Sequence, residues 1–437
     1  MQYFNRYFFG SVIALAVSIF SPAVSAAPDF GPVDMGEFYA SLPDLNPAAK
    51  LGSIVKTKKI KSGMSNVNAW LIAYVSSDVN HRKTLVTGLL VAPEGQAPAN
   101  GRPIVAWAHG TTGTAQNCGP SQVLNPAQPL NQYFLLEGNS YTDFGLPAMS
   151  AFIKAGYVIV ATDYQGLGGG GKHQYTVALT QAQDVIDSIR AATQIKEAKA
   201  GSKAVIYGWS QGGGASIAAA GLADYLHAKD TVRSDIDIVG FVAMAPFDIA
   251  VMTPANVTNE SDAKKHLQLL GEQFSTNIFN FTHYAQNIWG TVAAFPNLKM
   301  EDIFTDQAVK DINNAMERKC MHVASGAFDY LYGDSYKTML RSDIKNPLAW
   351  IEANRKGSVP AIKPMAPVII YFGSKDVTVP PVMGKLYQEQ MCKLGGNVAR
   401  IQLPGEQTHF TTPASAEPMY VKWVADRFAG VAVSNGC

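Results

Sequence analysis

The chain has 437 residues, 47% of them apolar and 16% charged, with 38 glycines and 24 prolines. That balance belongs to globular proteins and excludes disordered, collagen-like and coiled-coil chains. With 35 basic and 34 acidic side chains the formal charge is +1, and no basic run offers nucleic acid an electrostatic footprint.

The first 26 residues read as a secretory signal peptide: Arg6, an apolar run from Phe8 to Phe20, then the small residues Val24-Ser25-Ala26 at the cleavage positions. The run is shorter than the ~20 residues that span a bilayer, and no later stretch is long and apolar enough to span one. A secreted or periplasmic protein without a transmembrane segment is expected, its mature chain starting near Ala27. The absence of a cysteine before Cys118 excludes a lipid-modified N-terminal cysteine. The polar, proline-rich segment Pro28 to Pro47 is expected to wrap the surface.

Val67 to Val75 and Leu85 to Ala92 predict an antiparallel pair, the second strand ended by Pro93. Strands and helices then alternate. Strands are predicted at Ile104 to Ala108, Tyr157 to Thr162 and Ala204 to Tyr207, and helices at Pro147 to Ala155, Thr180 to Ile195 and Gly212 to His227. The rhythm resumes with strands Ile236 to Met244 and Val368 to Phe372. These strands are continuous apolar runs, as in a parallel sheet buried on both faces. The fold class is α/β, a mostly parallel sheet with helices on both faces. Residues 247–364 have helical patterning, as in Asp306 to Met316 and Pro347 to Arg355, and exceed any ordinary loop. They predict an inserted helical cap dividing the core into 27–246 and 365–437. Asn256, Asn259 and Asn280 lie in glycosylation sequons, which matter only in a glycosylating host.

Gly208-Trp209-Ser210-Gln211-Gly212 fits G-x-S-x-G, between an apolar strand and a helix of small residues. That setting is what a nucleophile elbow requires, with glycines where neighbours approach closely. A serine hydroxyl is a weak nucleophile and needs a base held by an acid. His409, in a polar loop before the final helix, and Asp376, just after the strand ending at Phe372, follow Ser210 in the order Ser…Asp…His. Asp248 is the rival acid. Asp163 is a further candidate, though it precedes Ser210. The turn His109-Gly110-Thr111-Thr112-Gly113 can present backbone N–H groups, from Thr111 and Thr112, to a developing oxyanion, with the Gln211 N–H as partner donor. His109 itself reads as a brace for that loop.

Gly166 to Lys172 spells a phosphate-loop pattern, but His173 stands where Ser or Thr must hold Mg²⁺. The run reads as a flexible surface loop near the site. His173, His266, His283 and His322 read as surface or packing residues, and no C-x-x-C or H-E-x-x-H pattern seats a metal. Cys118, Cys320, Cys392 and Cys437 allow three pairings in an oxidising compartment.

Taken together these pieces resemble the secretory lipases, α/β hydrolases with a helical cap. The likeness rests on Tyr74 to Pro93, the 109–113 turn with Cys118 soon after, Asp163-Tyr164-Gln165-Gly166-Leu167-Gly168, Asp187 to Ala192, Gly208 to Gly213, Asp376 and His409. The insertion carries no motif that matches. The resemblance implies ester hydrolysis through an acyl-enzyme, with Ser210, His409 and Asp376 as triad and no metal or organic cofactor. The substrate would be a small-molecule or lipid ester, with transient contact to a lipid interface compatible with that role. A serine peptidase of the same fold and an inactive binding protein are the alternatives. Secretion and the family-like position of Cys118 suggest the pairs Cys118–Cys320 and Cys392–Cys437. The cap would supply an apolar acyl pocket, with Leu269, Leu270 and Phe274 as candidate walls.

Overall fold

Nine strands make one sheet in the order β1-β2-β3-β5-β4-β6-β7-β8-β9. They are β1 (Ile54–Ile60), β2 (Val67–Ser77), β3 (Lys83–Pro93), β4 (Arg102–Ala108), β5 (Val158–Thr162), β6 (Ala200–Trp209), β7 (Asp237–Met244), β8 (Val368–Phe372) and β9 (Val398–Gln402). These come from a computed structural model that describes residues 34–437, so the signal-peptide reading of residues 1–26 lies outside the described residues. The first three strands and the β3–β5 pair are antiparallel, and every pair from β5 to β9 is parallel. The expected α/β class, mostly parallel with helices on both faces, is the one found.

Alternate residues of the central strands feed two separate cores, one on each face. Val105, Trp107, Val205, Tyr207, Val242 and Met244 enter one, while Ile104, Ala106, Ala204, Ile206, Phe241 and Ala243 enter the other. Strands buried on both faces have no polar side to show, which is why the apolar runs were continuous.

Several boundaries differ from the expectation. The edge strand β1 and the strand β9 were not foreseen. β1 carries Lys56, Lys58 and Lys59, a charged composition that suits an exposed edge and hides the strand from a hydrophobicity reading. The helix expected from Pro147 is Met149–Lys154, because Ala148 takes the left-handed conformation (φ 54°) and leaves Pro147 outside. The helix expected over Thr180 to Ile195 is Ala178–Ala192. That expected over Gly212 to His227 breaks into Gln211–Ala219 and Ala223–Leu226, with Gly221, a poor helix former, in the gap. Phe38 and Tyr39, within the segment expected to wrap the surface, are buried. Tyr39 Oη meets Ser121 Oγ at 2.7 Å, so this part of the segment joins the core.

Between β7 and β8 lie the helices Glu260–Gln273, Ile278–Ala294, Asp306–Arg318, Met321–Tyr332 and Pro347–Gly357. Side chains of Asn259, Asn277 and Thr305 cap the first three by accepting from backbone N–H groups. Ile278–Ala294 lies tight against the segment after β5. A Cβ on Gly290 would stand 2.4 Å from the Tyr175 nitrogen, so only glycine lets the helix come this close. Asn287 Nδ2 donates to Thr176 Oγ1 at 2.7 Å beside it.

Disulfides join Cys118 to Cys320 and Cys392 to Cys437, with Cα separations of 5.4 and 5.5 Å. The first closes a span of 202 residues and the second one of 45. Peptide mapping without reduction should recover these two pairs, and four free thiols would refute them. In the chain-entropy account, losing the first bridge should cost about 5 kcal/mol and the second about 4 kcal/mol, read as a drop in denaturation midpoint for each Cys-to-Ser pair.

Candidate active site

Ser210 sits at the sharp turn between β6 and the helix Gln211–Ala219, with φ 59° and ψ −119°. That conformation costs an L-residue on the order of 1–3 kcal/mol and survives only where its surroundings fix it. Its N–H donates to the Met244 carbonyl at 2.9 Å, while its own carbonyl accepts from Gly214 and Phe247 at 3.0 and 3.1 Å. The flanking glycines are required by contact. A Cβ on Gly208 would reach 2.1 Å from the Gly212 oxygen, and one on Gly212 would reach 1.9 Å from the Ala108 oxygen.

The polar loop before the last helix, Thr412–Phe428, brings His409 to this hydroxyl. His409 Nε2 lies 2.9 Å from Ser210 Oγ, and Nδ1 lies 2.8 Å from Asp376 Oδ2. Asp376 Oδ1 accepts from the N–H groups of Thr378 and Val379 at 3.0 and 2.8 Å, which fixes the carboxylate plane. Trp209 Nε1 donates to the His409 carbonyl at 3.1 Å, and the two rings lie 5.0 Å apart. All three members of the chain are buried. In this arrangement Ser210 can donate its proton to Nε2 while Asp376 holds the imidazole by its other nitrogen.

The rival acids are engaged elsewhere. Asp248 accepts from Ser358 Oγ at 2.6 and 2.7 Å, and burial pushes its carboxyl up to about 6. Asp163 accepts from the Ser121 N–H at 2.9 Å and from the Thr87 hydroxyl at 2.7 Å, and burial raises it also to about 6. His109 fits its reading as a brace. Its ring nitrogens face the carbonyls of Gly110 and Asp163 at 2.6 and 3.2 Å, it lies against Tyr164, and burial lowers it to about 4.

Among the described residues the backbone N–H groups of Thr111, Thr112 and Gln211 meet no acceptor. The Thr111 hydroxyl pairs with Tyr175 Oη at 2.6 Å. The other side of the loop is held by the helices between β7 and β8. Gly113 bridges to Cys320, the Thr112 carbonyl accepts from the Met321 N–H at 3.0 Å, and Thr114 Oγ1 donates to the Met316 carbonyl at 2.7 Å.

His173 is neither at the surface nor mere packing. Burial lowers its imidazole to about 3, and its Nδ1–H donates to the Gln165 carbonyl at 2.7 Å. Its Nε2 is therefore left to accept from Gln211 Nε2 at 3.1 Å, orienting the side chain next to Ser210. Sequence carried no signal for this pairing. In the glycine run before it, Leu167 and Gly168 are buried and only Gly170 to Lys172 are exposed, so the surface-loop reading holds for its tip alone. His322 is exposed, with its ring 5.1 Å from Tyr133, and His266 pairs with Thr253 Oγ1 at 3.0 Å.

Ser210 opens into a cavity walled by Phe247, Phe274 and Val379 on its apolar side, with Tyr175, Asn280 and His283 also lining it. Of the three expected wall residues only Phe274 lines it. Leu270 is buried in the core beside it, and Leu269 is 52% exposed on the outer face of its helix. Asn280 is 5% exposed, so its sequon is closed to glycosylation in the folded chain, whereas Asn256 and Asn259 are exposed. Among the described residues no group of three or more His, Cys, Asp or Glu side chains is placed to hold a metal.

The profile of the secretory lipase family matches residues 138–436, more than half of the chain. The chain belongs to that family. Lipase 1 of Candida albicans is 23% identical over 422 residues, 92% of this chain and 82% of the relative. A secreted triacylglycerol lipase of Malassezia globosa is 22% identical over 410 residues, 89% of this chain and 77% of the relative. Among solved structures, Candida antarctica lipase A superposes with a TM-score of 0.66 at 16% identity, covering 90% of this chain and 88% of that one. The cell wall degrading esterase LipA of Xanthomonas oryzae gives 0.65 at 16% identity, covering 87% and 100%. These likenesses show the α/β-hydrolase fold. The secretory lipase is a carboxylic ester hydrolase, and no helix among its described residues is long and apolar enough to cross a membrane.

The raised Asp248 carboxyl gives this lipase a pH signature separate from its chemistry. A free aspartate titrates near 4, so between pH ~4 and ~6 the folded chain holds a proton that the unfolded chain has lost. Stability from this group therefore falls as pH rises through that window. Denaturation of Asp248→Asn and the parent at pH 4 and pH 7 should show the variant gaining on the order of 2–3 kcal/mol relative to the parent at the higher pH. An unchanged difference would mean that Asp248 is ionised throughout.

Proposed function

We propose that Ser210 is the nucleophile, His409 the general base and acid, and Asp376 the group that orients it. The observation that carries this reading is the continuous chain of contacts from Ser210 Oγ through His409 to Asp376, at 2.9 and 2.8 Å. Ser210 Oγ attacks the ester carbonyl carbon as its proton passes to His409 Nε2. Asp376 stabilises the imidazolium through Nδ1–H. The carbonyl electron pair moves onto oxygen, where N–H groups of Thr111 or Thr112 and of Gln211 receive it. One such donor is worth about 3 kcal/mol in another serine hydrolase. The pair returns, the alcohol leaves with the proton from His409, and an acyl-serine remains. Water then repeats the sequence and releases the acid.

The free N–H groups support the second part of this reading, since an oxyanion is the partner they lack. In the same reading residues 247–364 form a cap over the site, and the apolar side of the cavity receives the acyl chain. A secreted or periplasmic location is supported by the two disulfides, which an oxidising compartment sustains. Transient contact with a lipid interface is supported by Leu135 and Leu136, 46% and 101% exposed near Phe134, whose ring lies 4.1 Å from that of Phe410.

Ser210→Ala or His409→Ala should lower kcat by about six orders of magnitude, and Asp376→Ala somewhat less, by comparison with another serine hydrolase. Ester turnover by Ser210→Ala at the parent rate would sink the assignment. If Asp248→Asn proves more damaging than Asp376→Asn, the acid is misassigned.

The cap reading has its own test. With Phe247→Ala or Phe274→Ala, kcat/KM over p-nitrophenyl esters of increasing acyl length should change its profile, because each methylene buried is worth ~0.8 kcal/mol, about fourfold. A profile that falls by one common factor would mean that the insertion supports the fold without selecting the acyl group.

A further inference from the structure

The helix Ile278–Ala294 turns a polar face toward the serine. Asn280, His283, Tyr284 and Asn287 follow one another at the spacing of a single helical face, and all four line the cavity that holds Ser210. Residues on its other faces, among them Phe281, Ala285 and Ile288, are buried in the apolar core. An alkyl chain would be served by leucine or phenylalanine at such positions. The polar groups are there instead, and they are incompletely used.

Asn287 is 2% exposed. Its amide nitrogen is committed to Thr176 Oγ1, but its Oδ1 is buried without a donor among the described residues. His283 donates its Nδ1–H to the Phe279 carbonyl at 2.9 Å, and burial lowers the imidazole to about 4. It is neutral at neutral pH, and its Nε2 is a lone pair that no donor among the described residues meets. Asn280 repeats the pattern, its Nδ2 donating to Thr276 Oγ1 at 2.9 Å while its Oδ1 receives nothing. Of these acceptors the Asn287 oxygen is the one closed to solvent, and leaving such an acceptor unpaired is a penalty removed when a ligand brings the donor. Among the described residues no aspartate or glutamate lines the cavity, so none there favours a cation over a neutral donor.

We propose that the preferred substrates are short esters with a hydroxyl group close to the scissile carbonyl, and that Asn287 Oδ1 and His283 Nε2 accept from that hydroxyl. The proposal rests on the reading of Ser210 as nucleophile. The carbon skeleton lies against Phe247, Phe274 and Val379, while the hydroxyl meets the polar helix face. An ester whose hydroxyl satisfies these acceptors is favoured over the plain analogue, which would cover them and leave them unpaired.

The test uses pairs of esters matched in carbon count. p-Nitrophenyl 3-hydroxybutyrate against p-nitrophenyl butyrate places the hydroxyl on the acyl side, and glyceryl monobutyrate against propyl butyrate places it on the alcohol side. The expected result is a kcat/KM at least about tenfold higher for the hydroxylated member of one pair. Asn287→Leu and His283→Phe should each pull that ratio toward one. Should Asn287→Leu fail to fold, the parent ratio and the His283 variant still decide. Equal or lower kcat/KM for the hydroxylated member in both pairs overturns the proposal. So does a preference that survives both substitutions. If turnover vanishes in Ser210→Ala and no preference is seen, this proposal alone fails. If turnover persists in Ser210→Ala, the reading beneath it fails too.

Discussion

Everything at this site hangs from one residue held in a backbone conformation that it would not choose. Ser210 is kept at φ 59° by the strands on either side of it, not by its own propensity. β7 supplies the Met244 carbonyl for its N–H, and the glycines at 208 and 212 let the next helix fold back close enough to complete the turn. The two cores, one on each face of the sheet, make that hold firm, since close-packed interiors resist local relaxation. The strain has a use: it lifts Oγ out of the sheet and leaves the first N–H groups of the following helix without intrahelical partners.

The helices between β7 and β8 reach the same centre from the other side. Through Cys320 and Met321 they grip the loop that carries Thr111 and Thr112. At Gly290 and Asn287 they press on the segment that carries Tyr175, whose hydroxyl in turn holds Thr111. The N–H groups around Ser210 are thus positioned by two bodies of chain at once. His173 adds a third tie by fixing the Gln211 side chain from a neutral, buried ring.

Much of this was legible in the sequence, and the reasons differ by element. The central strands announced themselves because burial on both faces demands unbroken apolar runs. Ser210, Asp376 and His409 could be picked out because each follows a strand or loop whose place in an α/β sheet is set by topology. β1 was missed because an edge strand rich in lysine has no hydrophobic period to read. His173 was misread for a different reason. Its burial and its contact with Gln211 are made across the chain, and no local pattern encodes such a meeting. The break after Ala219 and the outward turn of Leu269 show the limit of helical periodicity where phase is decided by packing.

The spacing of the tied residues has a consequence for how the enzyme comes into being. Ser210, Cys320, Asp376 and His409 are strung from near the middle of the chain almost to its end, and the bridge from Cys118 waits for a partner made 202 residues later. A chain emerging from the ribosome or from an export channel can build the early strands, yet it holds no assembled centre until almost its last helix is out. Contacts this distant in sequence form late, after the local structure that they join. If Ser210, Asp376 and His409 act as proposed, the nascent lipase passes most of its synthesis as a scaffold without chemistry, and a chain cut short before His409 lacks the base.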